Sequence, residues 1–327
     1  MNKWDLLSLL KGKTYVNGYI SGEEISKKFN VTRAAVWKCV NELKKIGYKI
    51  ESKTNRGYTL LPVFDILNEY EINSRLKNKN INYDVIYKSS TDSTNSDAKK
   101  FLGKNNTVIA AAEQTAGKGR YGRTFYSQNN GGIHFTLRIN NTVQNSISIE
   151  DVTFFPLIAA VAVSRAVRDL CGIELRIKWP NDLLYKFDSD YKKLCGILTE
   201  ASIEAETRSI SYVIIGIGLN INNDAADFPD EIKDIATSLK IISGIKNERA
   251  DILCEILYNF TQFMNMPRKE LLDEYKKLLL LDIDISFVQN GKIFIGKAAG
   301  INENGNLIAE LQSGEITVIQ SGEINFI

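Results

Sequence analysis

Residues Thr115 to Arg123 read TAGKGRYGR, three glycines interleaved with Lys118, Arg120 and Arg123. Glycine lets the backbone approach a ligand closely, and cations packed this densely can gather around phosphate. The chemistry that suits such a loop is the handling of an anionic, phosphate-bearing reactant. Gly117, Gly119 and Gly122 also satisfy the GxGxxG spacing of a dinucleotide-binding turn. That reading fails on context, because such a turn opens a helix, whereas 124–132 is a polar loop with no acid about 20 residues further on.

Other polar groups stand at the ends of strand-like runs. Ser93-Thr94-Asn95 follows one run and opens a helix, where it serves either as a cap or as a binding segment. Lys178-Trp179-Pro180-Asn181-Asp182 ends another, with Pro180 enforcing the break. Lys193-Leu194-Cys195-Gly196-Ile197-Leu198 begins a third, and 216–222, GIGLNIN, thins a fourth so that a ligand or another backbone can lie against it. Nucleophilic and metal chemistry find little material. His134 is the one histidine, and Cys39, Cys171, Cys195 and Cys254 are far apart with no CxxC pair. The four thiols read as reduced, buried, apolar residues.

The elements that must position these groups change character along the chain. Strand-like runs at 83–88, 107–113, 133–139, 175–179, 194–202 and 212–221 alternate irregularly with helices, the longest near 152–170. This favours an α+β mixed sheet over a regular βαβ repeat. After a helical region near 249–281 come short strands at 283–289, 291–299, 307–310 and 315–319. Asn290-Gly291 marks a hairpin and Asn304-Gly305 another turn.

The first 62 residues differ from the rest. They carry 12 Lys/Arg against 5 Asp/Glu, a charge of +7, which leaves −5 of the total +2 for 63–327. Gly22–Phe29 reads as a short helix capped by Ser21, and Arg33–Ile46 as a second capped by Thr32 and stopped at Gly47. On the second helix Val36, Val40, Leu43 and Ile46 gather on one side, while Arg33, Trp37, Lys38, Asn41, Lys44 and Lys45 occupy another. Two extended runs, 48–52 and 57–61, flank a turn bearing Lys53 and Arg56. Helix, tight turn, basic helix and basic hairpin make a winged helix-turn-helix. Arg33, Trp37, Lys38, Asn41, Lys44, Lys53 and Arg56 are its candidate DNA-binding residues.

With 327 residues, 44% of them hydrophobic, the chain can bury a large core and exceeds one average domain. No run approaches 18 consecutive apolar residues, so no membrane span is expected. The opening MNKWDLLSLLKGK lacks the long apolar stretch and cleavage site of a secretory signal, which makes a cytoplasmic location the expectation.

In order and spacing the motifs resemble those of bifunctional biotin–protein ligases that act as biotin operon repressors, over essentially the whole chain. That family's GRGRRGR signature stands here as Gly117–Arg123, with Lys118 and Tyr121 replacing two arginines. KWPND is intact at 178–182, and KLxGIL is present at 193–198 with Cys195 in the variable position. The resemblance implies a winged helix-turn-helix over 1–62, a linker and the start of the catalytic domain over 63–82, a class II synthetase-like mixed-sheet catalytic domain over 83–281, and an SH3-like β-barrel over 282–327. It also implies ATP-dependent formation of biotinoyl-5′-AMP and transfer of biotin to a lysine of biotin carboxyl carrier protein. No enzyme nucleophile is needed, in keeping with the single histidine.

By the same resemblance, Lys193 and Arg120 are the candidate catalytic residues. Ser93, Thr94, Asn95, Thr115, Gly117, Lys118, Gly119, Arg120, Lys193 and Gly196 are candidates for biotin. Arg123, Phe125, Lys178, Asn181, Asp182 and Asn220 are candidates for ATP or the adenylate, with Asp182 and Asn220 also implied for Mg2+. The implied partners are the carrier protein, operator DNA of biotin genes and a second copy of the chain in a ligand-promoted homodimer. A lipoate–protein ligase shares the adenylate chemistry, but the basic glycine loop with KWPND and KLxGIL favours biotin. A ligand-responsive repressor without ligase activity is the other alternative, and the presence of Lys193, Arg120 and Arg123 argues against it.

Overall fold

The computed structural model describes residues 1–327 except 15–17, 104, 128–130, 143–145, 189, 205 and 207–208, and the side chains of 13 and 14. The polar loop expected at 124–132 therefore lies partly outside the described residues. The chain divides into two units, Met1–Glu71 and Ile72–Ile327, and the division falls inside the stretch expected to be a linker.

In the first unit, α1 (Lys3–Thr14), α2 (Gly22–Phe29) and α3 (Arg33–Lys45) precede the hairpin of β1 (Lys49–Lys53) and β2 (Gly57–Leu61). The caps are those the sequence indicates: the Ser21 side chain accepts from the Glu24 N–H, and that of Thr32 from the Ala35 N–H. Leu6, Leu7, Leu10, Ile25, Val36, Val40 and Leu43 form the core. Gly57 is fixed by close approach, since a Cβ there would stand 2.0 Å from the Ile20 carbonyl oxygen, where the hairpin bridges back to residue 20. Trp37 is 63% exposed on α3, beside exposed Lys38 and Lys44 and half-buried Asn41. Arg33 is also exposed but pairs with Glu23 at 2.8 Å.

The expected connector contains a helix, α4 (Glu69–Asn78). Glu69 and Glu71 suit the positive end of its dipole. Ile72 and Leu76, one turn apart, supply a buried stripe.

The second unit is built on a seven-stranded mixed sheet. Its elements in chain order are β3 (Asp84–Thr91), α5 (Thr94–Lys100), β4 (Thr107–Gln114), β5 (Ile133–Asn140), α6 (Ile149–Cys171), β6 (Arg176–Lys178), β7 (Asp182–Phe187), β8 (Asp190–Ile203) and β9 (Ile210–Leu219). The strands stand in the order β3-β4-β5-β9-β8-β7-β6; β3 and β4 run parallel and the other neighbours antiparallel. Buried Phe135, Leu137, Ile215 and Ile217 are among the core residues of the central strands. α6 begins with a reciprocal Ser148–Asp151 capping box and ends at Gly172 in the left-handed conformation, φ 67°.

After α7 (Leu239–Ser243), α8 (Arg249–Met264) packs on α6, with Phe155 and Phe260 stacked at 6.4 Å, and α9 (Arg268–Leu278) follows. The tail forms a five-stranded antiparallel sheet of β10 (Asp284–Gln289), β11 (Lys292–Ile301), β12 (Leu307–Leu311), β13 (Ile316–Ile319) and β14 (Ile324–Phe326). The hairpin expected at Asn290-Gly291 is present, both residues having positive φ. Among the described residues no helix is long and apolar enough to cross a membrane.

Candidate functional site

A cleft of about 140 Å³ lies over one face of the seven-stranded sheet. Its lining includes Thr94, Asn95, Lys118, Gly119, Arg120, Arg123, Phe125, Lys178, Asn181, Asp182, Lys193 and Gly196, so segments far apart in sequence meet in one place. Ser93, Thr115, Gly117 and Asn220 are not part of the lining.

The floor follows from sheet register. Gly196 on β8 pairs with Gly218 on β9, which pairs with His134 on β5. Residues directly opposite in an antiparallel ladder share a face, so this row holds two bare backbones, which line the cleft, and one imidazole, which is buried beside the Phe125 ring and outside the lining. The Phe125 ring lies over it: a Cβ on Gly218 would stand 2.4 Å from Phe125 Cε1, and one on Gly196 3.2 Å from Cε2. The next row is Thr136, Gly216 and Leu198, where a Cβ on Gly216 would collide with the Asn95 side chain at 2.2 Å.

Lys193 reaches this face through a β-bulge. The β7–β8 register runs Asp182↔Gly196 and Leu183↔Cys195, then jumps to Leu184↔Lys193, leaving Leu194 as the extra residue. Strict alternation would put residues 193 and 196 on opposite faces; one inserted residue restores Lys193 to the side of Gly196. Its ammonium pairs with Asp182 at 2.8 Å. Cys195 takes the other face and is fully buried, and its thiol pKa is pushed well up by that burial.

Hydrogen bonds fix the polar wall. The Thr94 N–H and hydroxyl both donate to Gln114 Oε1, at 2.9 and 3.1 Å. The Thr136 hydroxyl bridges Thr94 Oγ1 at 2.8 Å and Asn95 Oδ1 at 2.6 Å, and Asn95 Nδ2 donates to Glu200 at 3.0 Å. Ser93 caps α5, accepting from the Ser96 N–H at 3.5 Å, and the Thr115 hydroxyl donates to Asp92 at 3.1 Å.

The basic loop folds back on itself. The Gly119 N–H donates to the Arg123 carbonyl at 2.8 Å and the Phe125 N–H to the Gly117 carbonyl at 2.9 Å. Gly117 is dictated by this closure, because a Cβ there would meet the Phe125 carbonyl oxygen at 2.4 Å. Arg120 donates to Asn181 Oδ1 at 3.2 Å, and Asn181 in turn donates to the Ile197 carbonyl at 2.8 Å. Arg123 pairs at 2.6 Å with Glu323, a tail residue that also lines the cleft. The Trp179 indole N–H donates to the Gly305 carbonyl, and the Lys178 ammonium sits 4.8 Å from the Phe326 ring. Burial lowers the Lys178 pKa, against an opposing pull from Asp182 and Glu323.

Five cations (Lys118, Arg120, Arg123, Lys178 and Lys193) and two acids (Asp182 and Glu323) face the cleft. The balance suits an anionic reactant whose charge grows during reaction. Asn220 faces elsewhere, its side chain donating to the Thr237 carbonyl and its N–H to the Leu194 carbonyl, both at 3.0 Å. Among the described residues no three His, Cys, Asp or Glu side chains gather as a metal site. Asp182 fits a cation that arrives with a nucleotide; Asn220, as placed, does not.

Gln114, Thr136, Glu200 and Glu323 were not singled out from the sequence. Gln114 had a signal, as the polar end of an apolar strand directly before the glycine loop. Thr136 and Glu200 acquire their places only through cross-strand register and Glu323 through the fold of the tail, so none of the three is visible locally.

Residues 84–220 match the model of the biotin/lipoate A/B protein ligase family, 6–59 an HTH domain, and 284–326 the biotin protein ligase C-terminal domain. Bifunctional ligase/repressor BirA of Bacillus spizizenii is 38% identical over 94% of this chain and 93% of its own length. The Bacillus subtilis protein of that name is 37% identical, over 94% of each. The structure of the biotin protein ligase from Aquifex aeolicus in complex with biotin and ATP superposes with a TM-score of 0.62 at 29% identity, covering 75% of this chain and 98% of that one. The chain belongs to the bifunctional ligase/repressor BirA family.

Proposed function

We infer that this protein is an ATP-dependent biotin–protein ligase and a biotin-responsive repressor of biotin genes. The observation that carries the first half is the cation-rich cleft, with Lys193 turned by a bulge onto the glycine floor. A carboxylate oxygen of biotin attacks the α-phosphorus of ATP, the bond to the leaving pyrophosphate breaks, and biotinoyl-5′-AMP forms. The ε-amine of a lysine on biotin carboxyl carrier protein then attacks the mixed anhydride, loses a proton and releases AMP.

Lys193 and Arg120 are the residues proposed to act on the reacting oxygens, by holding two anions together and neutralising charge as it builds. Thr94 and Asn95 hold the vitamin. Gly117, Lys118 and Gly119 belong to the loop that covers it, with Ser93 and Thr115 supporting from behind. Lys178, Asn181, Asp182, Arg123 and Phe125 hold the nucleotide. Asp182 is the carboxylate that would hold a Mg2+ ion brought with ATP, and such an ion would supply neutralisation of phosphate charge. The cytoplasm supplies both ATP and the carrier.

For the second half, we propose that Arg33, Trp37, Lys38, Asn41, Lys44, Lys53 and Arg56 meet operator DNA, with biotinoyl-5′-AMP favouring a homodimer that sets two winged helices on a two-fold site. Sedimentation with and without the adenylate tests the dimer; an unchanged association constant denies it.

Radiolabelled biotin supplied with ATP and a carrier domain tests the whole reading. Label is expected on one carrier lysine, dependent on ATP and undiminished by excess lipoate. Competition by lipoate points to the lipoate ligase reading. Biotin-enhanced DNA binding without any transfer points to a repressor that is not a ligase.

A further inference from the structure

His134 is the chain's one histidine, and it lies in the sheet that floors the cleft. It is almost wholly buried, and neither ring nitrogen has a hydrogen-bond partner among the described residues. Such a group is costly to bury, so each orphan asks for an explanation. Here the position supplies one. His134 ends the row Gly196–Gly218–His134, on the face where the Phe125 ring rests. The two rings meet edge to face at 6.0 Å. Lys193 stands at the opposite end of the row, beside Gly196. Two inter-strand spacings, about 10 Å, separate Gly196 from His134. The row thus has a cation at one end, a neutral imidazole at the other, and two glycines between them that leave room for a flat group, room now filled by Phe125.

Resting on the biotin ligase reading above, we propose that His134 is a specificity-determining residue of the substrate pocket: the vitamin enters along the glycine row, the Phe125 ring swings off it, and the His134 imidazole hydrogen-bonds the ring-bearing end of the ligand. The carboxylate end is left beside Lys193. Phe125 then closes the pocket from above instead of filling it, and one of the two unpartnered ring nitrogens gains its hydrogen bond when ligand is present.

The single histidine makes the test direct. In protein labelled with 15N-histidine, the two ring nitrogens of His134 are the only side-chain imidazole signals. They are followed while biotin is added, with calorimetry on the same sample to establish occupancy. A shift of one ring nitrogen from a non-bonded to a hydrogen-bonded position, saturating with calorimetric binding, is expected. His134→Phe is expected to raise KM for biotin about tenfold, as loss of one hydrogen bond implies, with kcat little changed; His134→Gln recovers part of the loss. Unmoved ring signals at full occupancy, or an unchanged KM in His134→Phe, overturn the proposal while leaving the ligase reading intact. Absence of biotin binding in the calorimeter overturns both.

Discussion

Lys193 and Gly196 share one face of β8 although three positions apart, and a Cβ built on the glycine would stand 3.3 Å from the lysine Nζ. The bulge at Leu194 creates this relationship, and it brings the charge of the KLxGIL segment onto the floor of the cleft. Segments of sequence that look like separate motifs are thereby joined into one electrostatic site.

The glycine floor should be intolerant in a graded way. A methyl at Gly196 meets the Lys193 and Phe125 side chains at 3.2 Å, a contact their mobile ends can relieve, whereas one at Gly218 meets the Phe125 ring at 2.4 Å. Gly218→Ala is expected to raise KM for biotin by about tenfold, a loss of roughly 1.4 kcal/mol, and Gly196→Ala by clearly less. Steady-state kinetics at saturating ATP measures both; equal effects argue against this floor.

Gly117 tests the loop. Its missing Cβ lets the Phe125 carbonyl approach, and backbone cannot step aside as a side chain can. Gly117→Ala is expected to open the loop and release biotinoyl-5′-AMP into solution at least about tenfold faster, because the intermediate loses its shield from water. Release is followed by quenching the freed adenylate with hydroxylamine. Unchanged release shows that closure of 117–125 does not retain it.

Much of this was legible in sequence. The caps at Ser21 and Thr32, the basic face of α3 and the Asn290-Gly291 hairpin depend on neighbours within a few residues, and the structure has them. α1 was missed because Leu6, Leu7 and Leu10 read as a brief apolar run until the core that buries them is known. α4 was missed because its acidic start resembles a solvated connector. The KWPND, KLxGIL and glycine-loop residues largely meet in the cleft, but the bulge at Leu194 and the burial of the Asn220 side chain against the Thr237 carbonyl, away from the cleft, are set by long-range contacts, which local spacing does not encode.

Protonation of His134 sets a pH dependence. Burial, helped by the nearby Arg249 charge, pushes its pKa down to about 3. Below about pH 6.5 the unfolded chain therefore binds a proton that the native chain refuses. Acid then favours unfolding, by up to about 1.4 kcal/mol per pH unit until the native pKa is reached. Between pH 7 and 5, His134→Phe should gain about 2 kcal/mol of stability relative to the wild type, read from urea midpoints. A constant difference across that range shows that the native histidine still takes its proton.

On the first unit, exposed Lys44 follows Trp37 by two turns of α3 and is one of the residues proposed to meet DNA phosphate. Lys44→Ala is expected to weaken binding to specific and random duplexes alike and to lower the slope of log K against log salt by about one. Fluorescence anisotropy over a salt series measures both. A loss confined to one sequence makes Lys44 a base reader instead.

The most direct test of the cleft's chemistry is the single-turnover rate of biotinoyl-5′-AMP formation in Lys193→Ala, with biotin affinity measured separately. Removing the cation proposed to steady both reacting anions is expected to slow adenylation by about 10²–10³, or 3–4 kcal/mol, while the variant remains folded. A near-normal rate of pyrophosphate release would contradict the assignment, however well Lys193 is placed.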